Sequence, residues 1–210
     1  MRVHTRFVTS AVDPAHFPPP GLPEIAFLGR SNVGKSSLIN SLVGTKIAKT
    51  SSTPGRTQMI NFFELQWPGK AAPEMQLADL PGYGYARVPK AISSGWGKFI
   101  DPYLKDRPTL ALCVVLVDLN VPPQKNDAQL IDFLLAAGRP FLLAATKCDK
   151  LSGNQRRNAL TVLSRAYPDT RILPYSSKTG DGREELWREL RTAAQNATGT
   201  AVPPVTSSHL

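Results

Sequence analysis

Residues 29–36 read GRSNVGKS, directly after the apolar run EIAFL and directly before SLINSLV. Two glycines around four residues, then Lys-Ser, complete the pattern G-x-x-x-x-G-K-[ST]. Glycine in a connection ordinarily serves a turn. Set between a strand-like and a helix-like segment it does more, because a backbone without Cβ atoms can approach an anion and present several N–H groups to it, and the helix that follows adds its positive dipole end. The pattern therefore demands a strand, a loop and a helix in that order. Gly29, Arg30, Ser31, Asn32, Val33, Gly34, Lys35, Ser36 and Ser37 are its candidate phosphate-binding residues, with Lys35 reaching the terminal phosphates and the Ser36 hydroxyl offering oxygen to Mg²⁺.

Such a unit needs a sheet around it, and 210 residues suffice for one α/β domain with short tails. Short β-rich runs (EIAFL, INFFELQW, EMQLADL, TLALCVVLVD, PFLLAAT, TRILPYS) alternate with helical patterns after Lys35, near 97–105, 124–137, 154–166 and 183–194. That alternation predicts a mainly parallel sheet with helices on both faces. The neighbouring runs at 58–66 and 74–79, joined by PGKAAP, predict one antiparallel hairpin at an edge. The proline-rich PAHFPPPGLP sets the domain's start near Leu22, leaving residues 1–21 as an arm and linker. Residues 22–195 make the domain, and 196–210 have little to bury and form a mobile tail.

The longest apolar stretch, LALCVVLV, is far below membrane-spanning length, so a soluble chain without a membrane partner is expected. Cys113 and Cys148 lack any paired or metal-like spacing and fit a reducing cytosol. His4, His16 and His209 have no Cys or His cluster near them. The opening MRVHTRFVTSAV carries Arg and no acid, but lacks the length and amphipathic pattern of a transit peptide.

Further motifs narrow the ligand. Asp79-Leu80-Pro81-Gly82 ends a strand, where the Asp can hold Mg²⁺ and the Gly N–H can meet a γ-phosphate. Thr146-Lys147-Cys148-Asp149 ends PFLLAA at the carboxyl edge of the sheet, where ligands bind. A carboxylate there can accept from the paired ring N–H and amine of guanine, which adenine does not present; the Lys147 stem can pack on the base. Ser176-Ser177-Lys178 can supply an N–H to the guanine carbonyl. Thr53 and Thr57 are equal candidates, on the residues alone, for a switch hydroxyl that completes the Mg²⁺ shell, and Thr50 is a third.

With FVTSA, IAFLGRSNVGKSSLIN, TPGRTQ, INFF, DLPGYGYA, TKCDKL and SSK all in place, the chain resembles the EngB-type ribosome biogenesis GTP-binding proteins, within the class that includes Era and septins. The resemblance implies a three-layer P-loop GTPase fold, mainly parallel with one antiparallel edge strand. It implies slow GTP hydrolysis with GTP/GDP and Mg²⁺ bound, and a monomer in the cytoplasm. Pro54, Gly55, Arg56 and Thr57 become nucleotide-contacting residues; Ser36, Thr57 and Asp79 become metal ligands; and Lys35, Thr57 and Gly82 become catalytic. Asn32 in GTPases of this kind accompanies a potassium ion beside the phosphates.

Two departures stand out. General GTPases carry Asn where this chain has Thr146, whose hydroxyl reaches less far toward a base. Tyr83 stands where Ras-like enzymes place the water-orienting Gln, and a phenol cannot replace a carboxamide; its ring is expected to pack on the switch.

A net charge of +9 favours polyanionic partners. Arg30, Lys46, Lys49, Arg56, Arg87, Lys90, Lys98, Lys105 and Arg107 are the expected basic surface. The resemblance names the polyanion as the large ribosomal subunit or its precursor, with its rRNA and ribosomal proteins. Two other functions compete: a nucleotide-stabilised RNA-binding assembly module with little turnover, and a P-loop kinase for a small acceptor. The kinase is disfavoured by the TKCD and SSK motifs.

Overall fold

The computed structural model describes residues 3–48, 59–83 and 100–199. Strand β2 (Glu24–Gly29) is buried at every position, as expected of a parallel strand covered on both faces. It pairs in parallel with β4 (Met75–Asp79) on one side and with β5 (Leu110–Asp118) on the other. Beyond β5, β6 (Phe141–Thr146) and β7 (Ile172–Pro174) continue the parallel array. Beyond β4, β3 (Ile60–Gln66) and β1 (His4–Ala11) pair antiparallel, giving a seven-stranded sheet of order β1-β3-β4-β2-β5-β6-β7.

The period-2 alternation of strand side chains divides the core between the two faces. Ile25 and Phe27 point to one side, with Leu38, Ile39, Leu42 and Val43 of α1 (Lys35–Val43) and Leu186, Trp187 and Leu190 of α5 (Arg183–Gly199). Ala26 and Leu28 point to the other. They meet the described turns of α2 (100–106), α3 (Lys125–Ala136) and α4 (Gly153–Ala166) through Tyr103, Leu104, Leu130, Leu134 and Leu163. This is the three-layer, mainly parallel arrangement with antiparallel pairing at one edge that the sequence predicts.

The chain's ends depart from expectation. His4–Ala11, read as part of an arm ahead of the domain, is the edge strand itself, in register with β3 from His4 opposite Gln66 to Ala11 opposite Ile60. The 58–66 run therefore lies one place inside the edge. The proline linker is also anchored, since Phe17 packs edge-on against Phe62 and Tyr103 and the Pro18 carbonyl accepts from Arg107 at 2.8 Å. At the other end α5 continues to Gly199, past the expected boundary at 195.

Glu24 explains why Arg107 is not on the surface. The Glu24 carboxylate, 1% exposed, accepts from Arg107 Nε at 2.9 Å, Tyr103 Oη at 2.9 Å and Thr109 Oγ1 at 2.6 Å. A buried carboxylate is tolerated only when so paired and hydrogen-bonded. This cluster closes the amino-terminal end of the parallel strands, leaving their carboxyl ends for the site.

Candidate functional site

The carboxyl end of β2 runs straight into the glycine loop. Gly29 must lack a side chain, because a Cβ there would lie 2.7 Å from Val33 Cγ1 and 3.0 Å from Leu116 Cβ. Gly34 adopts φ 105°, a left-handed conformation costly for other residues, and hands the chain to α1 at Lys35. Asn32 is also left-handed, at φ 65°, a conformation that Asn tolerates better than most. Ser36 opens the first turn of α1, Ser37 is exposed, and Val33 is buried under the loop.

The end of β4 lies beside this loop. The Asp79 carboxylate is bonded to the Lys35 ammonium, with both side chains largely buried. Leu80 and Pro81 are buried, and Leu80 N–H donates to the Phe27 carbonyl at 3.2 Å. Gly82 faces Ser31 so closely that a Cβ would meet Ser31 Oγ at 3.0 Å and Ser31 N at 3.1 Å. Tyr83 then pairs with the loop as one rung of parallel sheet: its N–H donates to Gly29 O at 3.3 Å, and its carbonyl accepts from Ser31 N at 3.1 Å.

The TKCD and SSK motifs follow β6 and β7. Thr146, 3% exposed, does not reach outward. Its hydroxyl proton is shared between the Val33 carbonyl at 2.7 Å and the Val117 carbonyl at 3.1 Å. Lys147, at φ 58°, sends its ammonium to Asn32 O at 2.9 Å and Asp118 Oδ2 at 2.7 Å, its stem passing over Gly34. Asp118 is further held by Asn120 N–H at 3.0 Å and Asn120 Nδ2 at 2.9 Å. Burial would raise the Asp118 pKa, but these bonds and the Lys147 charge outweigh it and hold the carboxyl below its ordinary value.

Cys148 is buried, and its N–H donates to the Tyr175 carbonyl at 3.3 Å. Asp149 is exposed and accepts from the buried Ser176 hydroxyl at 2.7 Å; that bond above all keeps its carboxyl below the usual range. Ser176 Oγ in turn accepts from the N–H groups of Lys178 and Thr179 at 3.2 and 3.1 Å, while Ser177 and Lys178 are exposed. TKCD and SSK thus form one bonded unit.

The structure therefore brings Gly29 to Ser37, Asp79 to Gly82, Thr146 to Asp149 and the SSK turn to one edge of the sheet. Pro54, Gly55, Arg56 and Thr57 lie outside the described residues, as do Thr50, Thr53, Lys49, Arg87, Lys90 and Lys98. The expected basic surface loses Arg30, which donates from Nε to the buried Asp127 at 3.1 and 3.2 Å, and Arg107, spent on Glu24. Lys46 and Lys105 remain exposed. Sequence reasoning missed Asp127, Asp118 and Asn120, since nothing local distinguishes them from surface polar residues.

Tyr83 is described, but the switch segments on which its ring is expected to pack are not. Beyond packing its ring against the apolar core, it donates its hydroxyl to Asp127 Oδ1 at 3.0 Å.

Comparison with known proteins agrees with this geometry. Residues 24–147 match the family model described as 50S ribosome-binding GTPase. The chain is 59% identical over 203 residues to the probable GTP-binding protein EngB of Koribacter versatilis, covering 97% of this chain and 98% of that one. It is 57% identical over 199 residues to the probable EngB of Acidobacterium capsulatum, covering 94% of each. Among solved structures, a probable GTP-binding protein engB superposes with TM-score 0.61 at 22% identity, covering 82% of this chain and 99% of that chain. An Aquifex aeolicus Era variant bound to GDP and aluminium fluoride superposes at 0.68 with 21% identity, over 81% of this chain and 56% of that one. At those identities the two structures speak to the fold.

Proposed function

The chain belongs to the EngB GTP-binding proteins, a family of P-loop GTPases, and on that premise we propose that it is a Mg²⁺-dependent nucleotide switch in assembly of the large ribosomal subunit. As a GTPase it hydrolyses GTP to GDP and phosphate. The observation that supports a switch is the seating of Gly82 against Ser31. A loop that can sense the γ-phosphate is already packed on the loop that binds the others. The partner rests on the family description, 50S ribosome-binding GTPase, and on the net charge of +9.

Each residue's part follows from its place. The N–H groups of the glycine loop and the amino end of α1 hold the phosphate chain, and Lys35 compensates its terminal charge after leaving Asp79. Gly82 N–H serves the γ-phosphate. Asp149, oriented by Ser176, selects guanine. Ser36 and Asp79 give one hydroxyl and one carboxylate, a donor set that fits a hard cation and would hold it together with Thr57. Bound there, Mg²⁺ would offset charge on the β- and γ-phosphates. Tyr83, whose hydroxyl is given to Asp127, does not orient the attacking water, in keeping with slow hydrolysis that the partner accelerates. A potassium ion beside Asn32 belongs to the same proposal and is tested by comparing hydrolysis in potassium and sodium, with Asn32→Ala as control.

The test of the switch is a subunit pelleting assay with a non-hydrolysable GTP analogue, GDP and no nucleotide, across a salt series. The monomeric chain should bind most tightly with the analogue and release as salt rises, because phosphate neutralisation frees counterions. Equal binding in all three nucleotide states would leave an RNA-binding module without a switch.

A further inference from the structure

Asp127 is a carboxylate in a place that sequence periodicity reserves for an apolar side chain. It lies three and four residues before Leu130 and Ile131, on the face that α3 turns to the core, and is 1% exposed. Its position in the first turn of α3 is favourable to the helix dipole, but that alone would not require burial. Its side-chain partners come from neither its own helix nor the sheet interior. Arg30 Nε donates to both carboxylate oxygens, at 3.1 and 3.2 Å, from within the phosphate loop. Tyr83 Oη donates to Oδ1 at 3.0 Å, from the residue that follows Gly82. The same two residues, 30 and 83, are joined through the backbone as a parallel bridge.

We propose that Asp127 is a positioning residue for γ-phosphate recognition, clamping Arg30 and Tyr83 so that the Gly82 N–H is held at a fixed distance from the phosphate loop. The inference rests on the reading of Gly82 as the γ-phosphate contact. Residue 83 has few ways to move. Its backbone is pinned to Gly29 and Ser31, its side chain to α3, and Gly82 between them already touches Ser31. Without the side-chain anchor residue 83 loses its tie to α3 beside the backbone bonds at 3.1 and 3.3 Å, and Gly82 gains freedom that γ-phosphate binding must then remove. GDP makes no demand on Gly82. Loss of the clamp therefore lowers affinity for the triphosphate and spares the diphosphate, a signature that a purely structural ion pair would not leave. It also ties the phosphate loop and residue 83 to α3 on the second face of the molecule.

The experiment measures affinity of the full chain for GDP and for a non-hydrolysable GTP analogue, by fluorescent-nucleotide titration, in the parent, Tyr83→Phe, Asp127→Asn, their double variant and Gly82→Ala. Tyr83→Phe removes one hydroxyl and should keep GDP affinity within about twofold while lowering analogue affinity about five- to tenfold, the effect of one hydrogen bond. Asp127→Asn should lower the analogue-to-GDP ratio at least as much, and the double variant no further than Asp127→Asn alone. Gly82→Ala reports on the underlying reading by lowering analogue affinity. If it does so while Tyr83→Phe and Asp127→Asn keep the parent ratio, Asp127 is structural and the proposal is overturned. If Gly82→Ala also keeps the parent ratio, the γ-phosphate reading falls and the clamp falls with it. Should Asp127→Asn fail to fold, Tyr83→Phe decides alone.

Discussion

The hydroxyl of Thr146 donates to the carbonyl of Val33 at 2.7 Å, tying the strand end that carries the base-reading motif to the backbone of the phosphate loop. In this chain the position that in general GTPases is Asn acts inward, as a strut between two loops. Thr146→Val keeps the shape and removes the donor. With one buried hydrogen bond worth about 0.5–1.5 kcal/mol, GTP and GDP affinity should fall together by about two- to tenfold, with preference over ATP retained. A collapse of guanine selectivity in a nucleotide competition series would show that Thr146 touches the base after all.

The proposed guanine selectivity rests on Asp149 and, behind it, Ser176. The Ser176 hydroxyl, buried and fixed by the N–H groups of Lys178 and Thr179, donates to Oδ1 of the exposed Asp149 at 2.7 Å and leaves Oδ2 for a ligand. Asp149→Asn should weaken GDP about tenfold to a hundredfold, the range for bonds to a charged group, and favour a xanthine nucleotide. Ser176→Ala should weaken GDP by a smaller factor, about threefold, with the guanine preference kept. Competitive titration with guanine, xanthine and adenine diphosphates measures all three. Equal affinity for ADP and GDP in the parent would remove the assignment.

The site was legible where its chemistry is local. GRSNVGKS, DLPG, TKCD and SSK each sit at a strand end, so alternation of strand and helix sufficed to bring them to one edge. What escaped was decided by partners far away in the chain. Arg30 reads as a basic surface residue until Asp127, 97 positions on, takes its guanidinium; Arg107 reads the same until Glu24, 83 positions earlier, takes it inside. The strand His4–Ala11 has mostly partly exposed or exposed side chains, and a proline-rich stretch follows it. Only pairing with β3 makes it part of the sheet. Thr146 escaped for a subtler reason: its place in the motif suggests reach toward the base, whereas a short hydroxyl is satisfied by the nearest carbonyls, those of Val33 and Val117.

Asp118 gives a pH prediction with a definite sign. Despite burial its carboxyl sits below the ordinary value of 3.8, because Lys147 and Asn120 bond its charged form. The unfolded chain therefore binds a proton more readily than the folded one. The stability contributed by Asp118 is fully present above the unfolded value and is lost as pH falls through the folded one. Asp118→Asn should show a melting-temperature deficit that is constant from about pH 5 to 8 and closes below about pH 4. Its nucleotide affinity should also drop, since Lys147 loses the anchor that holds it beside Asn32. A deficit that widens at acid pH would contradict the sign.

The pairing of Lys35 with Asp79 joins stability to ligand and metal in one measurement. Their side chains are 11% and 7% exposed, so each charge is kept in the interior by the other. Removing one partner of a buried pair costs about 3–5 kcal/mol because the remaining charge is uncompensated. Asp79→Asn should fall at or below the lower end of that range, since the amide oxygen still accepts from the ammonium. When a phosphate chain arrives, Lys35 acquires new acceptors, and only the parent must give up an ion pair to reach them. In the presence of a chelator, GDP should therefore raise the melting temperature of Asp79→Asn more than that of the parent. Mg²⁺ should then add stabilisation to the nucleotide-bound parent and little to the variant, if Asp79 is a ligand of the ion. Lys35→Ala should abolish most of the GDP effect in either background. Equal GDP shifts in parent and Asp79→Asn would deny that the pair competes with phosphate, and an undiminished Mg²⁺ effect in the variant would remove Asp79 from the metal shell.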